Sequence, residues 1–354
     1  MVPDSPGAQA LALTGMTEAE IASACSFGAK YRAHQVYSWL ARGVSSFDEM
    51  SDLPKSERAR LASLFSPIYS SEVSTELKDE DGSEKLQIRL RDGAAVECVL
   101  LEDIEGRCTA CLSSQVGCPM NCAFCRTGSL GYLRDLGPDE ILEQFYYLNA
   151  RRGPISNVVF MGMGEPLLNL QAVRRAISIL SDPKGIGMSR RKITISTSGV
   201  VPGILDLAEN GPAVRLAVSL TAADNALRSE LMPINRKWDL SALRAALGSY
   251  QEKTGERITL EAALMAGRNT RPEDAAALAD WVGDLDAQIN VIPWNSIPSL
   301  PFSEPSRSEV EHFVAALEAR GLTVNCRMHR GRNVMAACGQ LGDTLKAASG
   351  SPED

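Results

Sequence analysis

Apolar positions in residues 16–65 recur at three- and four-residue spacing, as at Val36, Trp39 and Leu40, which predicts helices. Thr17 followed three residues later by Glu20 has the pattern of a capping box, so the first helix begins there. Residues 1–15 are small and polar, carry Pro and Gly, and read as a disordered leader. Segment 69–84 is polar and charged and reads as a linker. The run LQIRLRDGAAVECVLL then alternates apolar and polar positions on both sides of Asp92-Gly93, the pattern of a β-hairpin.

After Cys108 the rhythm changes to short β-rich runs separated by amphipathic stretches. The predicted strands are 108–114, 157–161, 192–197, 214–220, 258–264, 289–293 and 322–326. Helical patterns fall near 138–151, 170–181, 202–210, 239–253, 272–284 and 306–320. One strand per helix, repeated about six times, predicts an α/β fold with a parallel sheet in a partial (βα)6 barrel. The expected organisation is a leader over 1–15, a small N-terminal helical domain over 16–75, and a linker with a β-hairpin connector over 76–107. The barrel core then covers 108–345 and a tail 346–354. In such a sheet the functional side chains gather at the carboxyl ends of the strands.

Composition narrows the class. The 354 residues suggest about two domains, and 44% hydrophobic with 23% charged residues excludes a disordered chain. No apolar run reaches the ~18 residues that would span a membrane. The first 15 residues carry an Asp and no Lys or Arg, unlike a secretory signal, so the expected location is cytoplasmic with no membrane partner. The net charge of −8 leaves nucleic-acid contact to local patches. Two exist: Lys184, Arg190, Arg191 and Lys192, then Arg327, Arg330 and Arg332. Either could touch phosphates beside an active site, or be a solvated turn.

Five of the nine cysteines fall between positions 108 and 125. Cys118, Cys122 and Cys125 form CxxxCxxC, able to hold three irons of a [4Fe-4S] cluster. The fourth iron then stays open to the amino and carboxylate groups of S-adenosylmethionine, with Phe124 placed to pack on its adenine. The alternative is zinc held by Cys108, Cys111, Cys122 and Cys125, a ribbon pattern that leaves Cys118 idle and puts a knuckle inside a strand. His34, His312 and His329 are too scattered for a metal triad. Cys25, Cys98, Cys108 and Cys326 read as structural.

The segments CLSSQVGCPMNCAFCRTG, MGMGEPLLNL, STSGVVP, MPIN, IPWN and AACGQL, in this order, resemble the RlmN/Cfr family of radical S-adenosylmethionine RNA methyltransferases. The likeness extends into YRAHQVYSWL and SFDEMSDLP of the helical part, which the resemblance makes an RNA-binding accessory domain. It implies that Cys118, Cys122 and Cys125 hold the cluster. It also implies that Gly164, Glu165, Ser196, Ser219, Thr221 and Asn295 contact S-adenosylmethionine. Cys338 matches the cysteine that becomes methylated, Cys111 the second catalytic cysteine, and Glu97 the proton acceptor. Without that context Cys338 would read as a small buried apolar residue and Glu97 as a solvent-facing carboxylate. Thr221 departs from the family, which usually has histidine there, and HRGRNV before AACGQL is looser than usual.

The implied substrate is adenine 2503 of 23S rRNA, methylated at C2, with tRNA adenine 37 as a second site; the Cfr type methylates C8, and the quoted residues are common to both. Ring carbons of an adenine amidine are electrophilic, so displacement at a sulfonium methyl cannot alkylate them. The resemblance implies instead that Cys338 is methylated, that a radical formed from the methyl group adds to the base, and that Glu97 takes the ring proton. Cys111 then attacks Cys338 sulfur and leaves a disulfide for reduction. The resemblance also implies, as a partner, an electron donor such as flavodoxin or ferredoxin.

Overall fold

The apolar runs after residue 107 become parallel strands because both of their faces are covered. Val158, Ile195, Val218, Leu260 and Ile289 are all fully buried. The structure, a computed structural model, describes residues 12–29, 31–103, 105–327 and 330–342. Among them are strands β1 (Glu72–Lys78), β2 (Glu84–Arg89), β3 (Ala95–Glu102), β4 (Cys108–Cys111), β5 (Gln115–Gly117) and β6 (Tyr132–Asp135). There follow β7 (Ile155–Phe160), β8 (Ile193–Thr197), β9 (Arg215–Ser219), β10 (Ile258–Leu264), β11 (Ala287–Pro293) and β12 (Thr323–Cys326).

Ten strands make one sheet in the order β1-β2-β3-β4-β7-β8-β9-β10-β11-β12. From β4 to β12 every pairing is parallel. Helices Pro138–Arg152, Leu170–Leu180, Val201–Asn210, Leu240–Thr254, Pro272–Val282 and Arg307–Glu318 carry the chain between these strands. The first starts sharply because Pro138 needs no hydrogen-bond partner and Glu140 accepts from the Gly137 N–H at 2.8 Å. Among the described residues β1 and β12 are the two edges of this sheet, with no ladder between them. The sheet is nonetheless curled: Cys111 of β4 and Ile292 of β11 line one cavity.

Three local expectations need correction. Segment 69–84 is not simply a linker, since β1 lies inside it and pairs antiparallel with β2. An edge strand exposed along almost its whole length keeps polar residues on both faces and so lacks the alternation that marks a strand. The hairpin expected around Asp92-Gly93 is present, β2 and β3 pairing antiparallel across the five residues that join them; β1 extends it to a three-stranded meander, and β3 runs on antiparallel to β4. The β5–β6 hairpin was also not expected; its strands are too short for a period. Residues 12–15 are not a loose leader either. Leu13 and Thr14 are buried, and Ala12 N–H donates to Asp139 Oδ2 at 3.2 Å.

Helices Glu18–Cys25, Tyr31–Ala41 and Lys55–Phe65 form the N-terminal part. The capping box is present: Thr17 N–H donates to Glu20 Oε2 at 2.8 Å, and Glu20 N–H to Thr17 Oγ1 at 3.4 Å. Ile21, Val36, Leu40 and Leu61 share a continuous core with the sheet. The buried carboxylate of Glu143 joins the parts. It accepts from Thr14 Oγ1 at 2.9 Å and from the N–H groups of Ser70 and Ser71 at 2.7 and 2.9 Å.

Candidate active site

The carboxyl ends of the parallel strands open into two adjoining cavities. The first takes Cys118, Cys122, Phe124 and Cys125 from the loop after β5, and Gly164 and Glu165 from the turn after β7. Ser196 of β8, Ser219 of β9, Thr221, Glu261 of β10, Asn295 and Cys338 complete it. The second takes Cys111, Arg327 and Arg330, and shares Cys125, Met161, Gly162, Asn295, Cys338 and Gly339 with the first. The chain thus brings together every expected site residue except Glu97, which lines neither cavity.

The end of β4 and the end of β7 touch. A Cβ on Gly162 would stand 2.6 Å from Ser113 Oγ and 2.8 Å from the Leu112 carbonyl, so only glycine fits. Ser113 Oγ donates to the Glu97 carbonyl at 2.5 Å and accepts from Met163 N–H at 2.8 Å. Gly164 has φ +103, and a Cβ there would meet Gln115 Cβ at 2.6 Å. Gln115 Oε1 accepts from the Glu165 N–H at 2.8 Å. The Glu165 carboxylate is buried against the end of β8, accepting from Ser198 N–H at 2.7 Å and Ser198 Oγ at 2.8 Å. Burial raises its carboxyl against these donors, which suits a cationic amino group as its partner.

Thr221 is buried at φ +60, a left-handed conformation that costs a β-branched residue about 1–3 kcal/mol. Its N–H donates to the Glu261 carbonyl at 3.1 Å, and its own carbonyl accepts from Asn269 Nδ2 at 2.9 Å. Asn295 reaches the C-terminal segment, Nδ2 donating to the Cys338 carbonyl at 3.2 Å. Phe124 belongs to a small apolar cluster with Met232 and Trp294, and the Trp294 indole N–H donates to its carbonyl at 2.9 Å.

Three thiols on one loop wall suit a four-iron cluster. Burial pushes Cys118 up to about 12 and raises Cys122 and Cys125 as well, so without cationic iron all three would stay protonated. Backbone N–H groups of Thr127 and Gly128 point at Cys125 sulfur, and a Cβ on Gly128 would come within 2.9 Å of Cys122 N. Among the described residues no three His, Cys, Asp or Glu side chains are close enough to hold a single ion. A cubane does not ask for that, because each iron takes one thiolate. The zinc alternative fails on geometry. Cys108 and Cys111 sit at opposite ends of β4, and odd spacing in a strand puts them on opposite faces.

Cys111 is buried and Cys338 is an exposed residue of its loop; both are free thiols. Enclosure of the sulfur between the two cavity walls raises the Cys338 thiol to about 11 even though the residue keeps exposed surface; burial raises Cys111 as well, and each feels the carboxylate of Glu261. Glu261 was missed from the sequence, although a glutamate inside the otherwise apolar ITLEAAL is a signal that it faces something polar. Glu97 is 2% exposed and lies beneath the Cys338 segment, ion-paired with Lys85 Nζ at 3.4 Å and accepting from Gly342 N–H at 2.7 Å. The two basic clusters separate. Arg327 and Arg330 line the second cavity, but Arg190–Lys192 form the turn leading into β8, at the amino ends of the strands and away from the site.

Curled parallel strands with a three-cysteine loop at their carboxyl ends define a radical S-adenosylmethionine enzyme. A profile of the Radical SAM superfamily matches residues 112–281, and one of the ribosomal RNA large subunit methyltransferase N-terminal domain matches 13–66. The "probable dual-specificity RNA methyltransferase RlmN" of Treponema pallidum is 49% identical, over 94% of this chain and 98% of its own. The dual-specificity RNA methyltransferase RlmN of Anaeromyxobacter dehalogenans is 42% identical over 92% of this chain and 88% of its own. A crystal structure of a radical SAM methyltransferase from Sphaerobacter thermophilus superposes with a TM-score of 0.90 at 38% identity, covering 94% of this chain and 99% of that one. The chain belongs to the RlmN family of radical SAM RNA methyltransferases, enzymes that use a [4Fe-4S] cluster and S-adenosylmethionine. No helix among the described residues is long and apolar enough to cross a membrane.

Proposed function

We propose that this enzyme methylates C2 of adenine 2503 in 23S rRNA and of adenine 37 in tRNA, with Cys338 as the carbon carrier and Cys111 as its redox partner. The observation that carries the reading is the shared wall: Cys338 faces both the cavity of the three-cysteine loop and the cavity that holds Cys111. When bound, the cluster and S-adenosylmethionine supply the methyl group and a one-electron route to hydrogen abstraction. Cys118, Cys122 and Cys125 hold the cluster. Glu165, Ser196, Ser219, Thr221, Asn295 and the backbone at Gly164 seat the nucleoside, with Phe124 against its base.

The remaining chemistry belongs to the second cavity. An adenine there meets the carbon held on Cys338. Cys111 then forms an S–S bond to Cys338 as the C–S bond to the product breaks and the released carbon takes the thiol proton; two electrons and two protons later restore the thiols. A flavodoxin- or ferredoxin-type protein is the partner that supplies electrons to the enzyme. Arg327 and Arg330 at the mouth hold phosphate. Glu97, the expected proton acceptor, lies beneath the 331–342 segment with its carboxylate on Lys85 and Gly342, so the ring proton reaches it only by way of a group that lines the second cavity. These roles place the enzyme in the cytoplasm.

Cys111→Ala should accumulate a covalent RNA adduct through Cys338, and Cys338→Ala should form none while keeping its cluster absorbance. Adduct formation by Cys338→Ala, or a product methyl group mapped to C8 by mass spectrometry, overturns the reading.

A further inference from the structure

Hairpin tips are normally among the most solvated parts of a fold. The turn joining β1 to β2 is only partly solvated, however: Asp79 and Ser83 are buried, as are Glu84 and Lys85 where β2 begins, while Asp81 stays exposed. What covers them is the segment 331–342, which carries Cys338. This segment has no regular structure, so its buried backbone groups need partners from elsewhere. Charged side chains of the meander supply them. Gly331 N–H donates to Asp81 Oδ2 at 2.7 Å. Asn333 N–H and Nδ2 donate to the two carboxylate oxygens of Asp79 at 2.9 and 2.8 Å. Lys85 Nζ donates to the Met335 carbonyl at 3.2 Å, and Gly342 N–H to Glu97 Oε2 at 2.7 Å.

The bonds fall on both sides of Cys338 in the chain. The opposite wall of the segment faces the strand ends: Arg126 N–H donates to the Gly339 carbonyl at 2.8 Å, and Thr127 Oγ1 to the Leu341 carbonyl at 2.7 Å. The fit is tight, since a Cβ on Gly331, at φ +67, would stand 2.8 Å from Ala336 Cβ. Neither Asp79 nor Asp81 lines a cavity, so they can act on the chemistry only through the segment they hold.

We infer that the β1–β2 turn is a positioning clamp, in which Asp79 and Asp81, backed by the Lys85–Glu97 pair, fix the backbone of residues 331–342 and so set the Cys338 thiol against Cys111. The inference rests on the reading of Cys338 and Cys111 as the working pair. Asp79 and Asp81 are positioning residues. Bonds from N–H to carboxylate are roughly twice as strong as neutral ones, which is why acids rather than amides suit the turn.

The test compares the cluster-loaded enzyme with Asp79→Ala/Asp81→Ala and Asp79→Asn/Asp81→Asn, using two readouts that need no turnover. One is amide hydrogen exchange of residues 331–342 by mass spectrometry. The other is the Cys111–Cys338 disulfide equilibrium with glutathione: the two thiols give up two electrons and two protons, and one oxidised glutathione becomes two glutathione thiols.

The alanine pair should speed exchange at Gly331 and Asn333, and lower the effective concentration of Cys338 at Cys111, each by about tenfold or more. The asparagine pair, which keeps one neutral acceptor oxygen at each position, should recover part of both. If the alanine pair loses its cluster absorbance, Asn333→Ala removes one bond from the segment's own side and should shift both readouts the same way by less. Unchanged exchange and unchanged effective concentration overturn the clamp, as does an asparagine pair no better than alanine. A wild-type enzyme that forms no Cys111–Cys338 disulfide at any glutathione ratio overturns the working pair instead, and the exchange data still decide the clamp.

Discussion

Arg228 is fully buried, and every hydrogen bond recorded for its guanidinium goes to a neutral oxygen. Nε donates to the Leu220 carbonyl at 3.2 Å, Nη1 to Asn235 Oδ1 at 3.0 Å, and Nη2 to the carbonyls of Ser198 and Ser219 at 2.8 and 3.2 Å. It thereby ties the ends of β8 and β9 to helix Asn225–Leu231, whose last carbonyl takes the Ala123 N–H of the cysteine loop at 2.9 Å. Burial pushes the guanidinium down to about 10 from 12.5, so it stays charged at neutral pH. At about 1.4 kcal/mol per pH unit that corresponds to roughly 3 kcal/mol of desolvation.

Two substitutions then order in an unusual way. Arg228→Leu takes this donor from the Ser198 and Ser219 carbonyls and from Asn235 Oδ1, while the Leu220 carbonyl keeps the Ala222 N–H at 2.7 Å. At about 1–2 kcal/mol for each of the three, less the roughly 3 kcal/mol of burying a cation, its net cost is about 0–3 kcal/mol. Arg228→Lys keeps the buried charge on a more strongly hydrated ammonium and loses at least two bonds to a charged donor, about 3–5 kcal/mol. Anaerobic urea unfolding followed by circular dichroism, at constant m, reads both. A lysine variant within 1 kcal/mol of wild type, or a leucine variant less stable than the lysine one, refutes the reasoning.

Gly164→Ala forces a Cβ to within 2.6 Å of Gln115 at a φ of +103, and should weaken S-adenosylmethionine binding about tenfold or more, read by calorimetry on the cluster-loaded enzyme. At Asp81, burial opposes ionisation, but the N–H groups of Gly331 and Ser83 outweigh it and hold the carboxyl below its ordinary 3.8. Its contribution is therefore present above the unfolded value and lost as pH falls through and below it. The protection factor of the Gly331 amide, corrected for intrinsic exchange, should fall below about pH 4 in wild type and show no such step in Asp81→Asn.

The parallel strands were legible because burial on both faces leaves continuous apolar runs, as in NVVFM and INVIP. β1 was not, because VSTEL at a solvated edge carries polar residues on both faces. The three cluster cysteines announced themselves by close spacing along one loop. Cys111 and Cys338, 227 positions apart, could be joined only by resemblance or by the fold. Arg228 sits in NALRSEL, where nothing separates a fully buried arginine from a solvated one; its environment is made by the ends of two strands that the local sequence does not contain. Of the two readings open for Arg190–Lys192, the structure gives the exposed turn, for a reason the sequence already held: the cluster precedes its strand, and the site lies where strands finish.

An open sheet has two free borders, and here they differ in kind. One border is the exposed ladder edge of β1; the other ends in the stretch that carries Cys338. Had β12 been zipped to a neighbour by a backbone ladder, parting that seam would have meant breaking cooperative sheet structure. Instead the stretch after it is fastened to the meander by a few carboxylates and one lysine, each of which can let go singly. A margin fastened by separable polar contacts can be loosened one bond at a time without unfolding any strand.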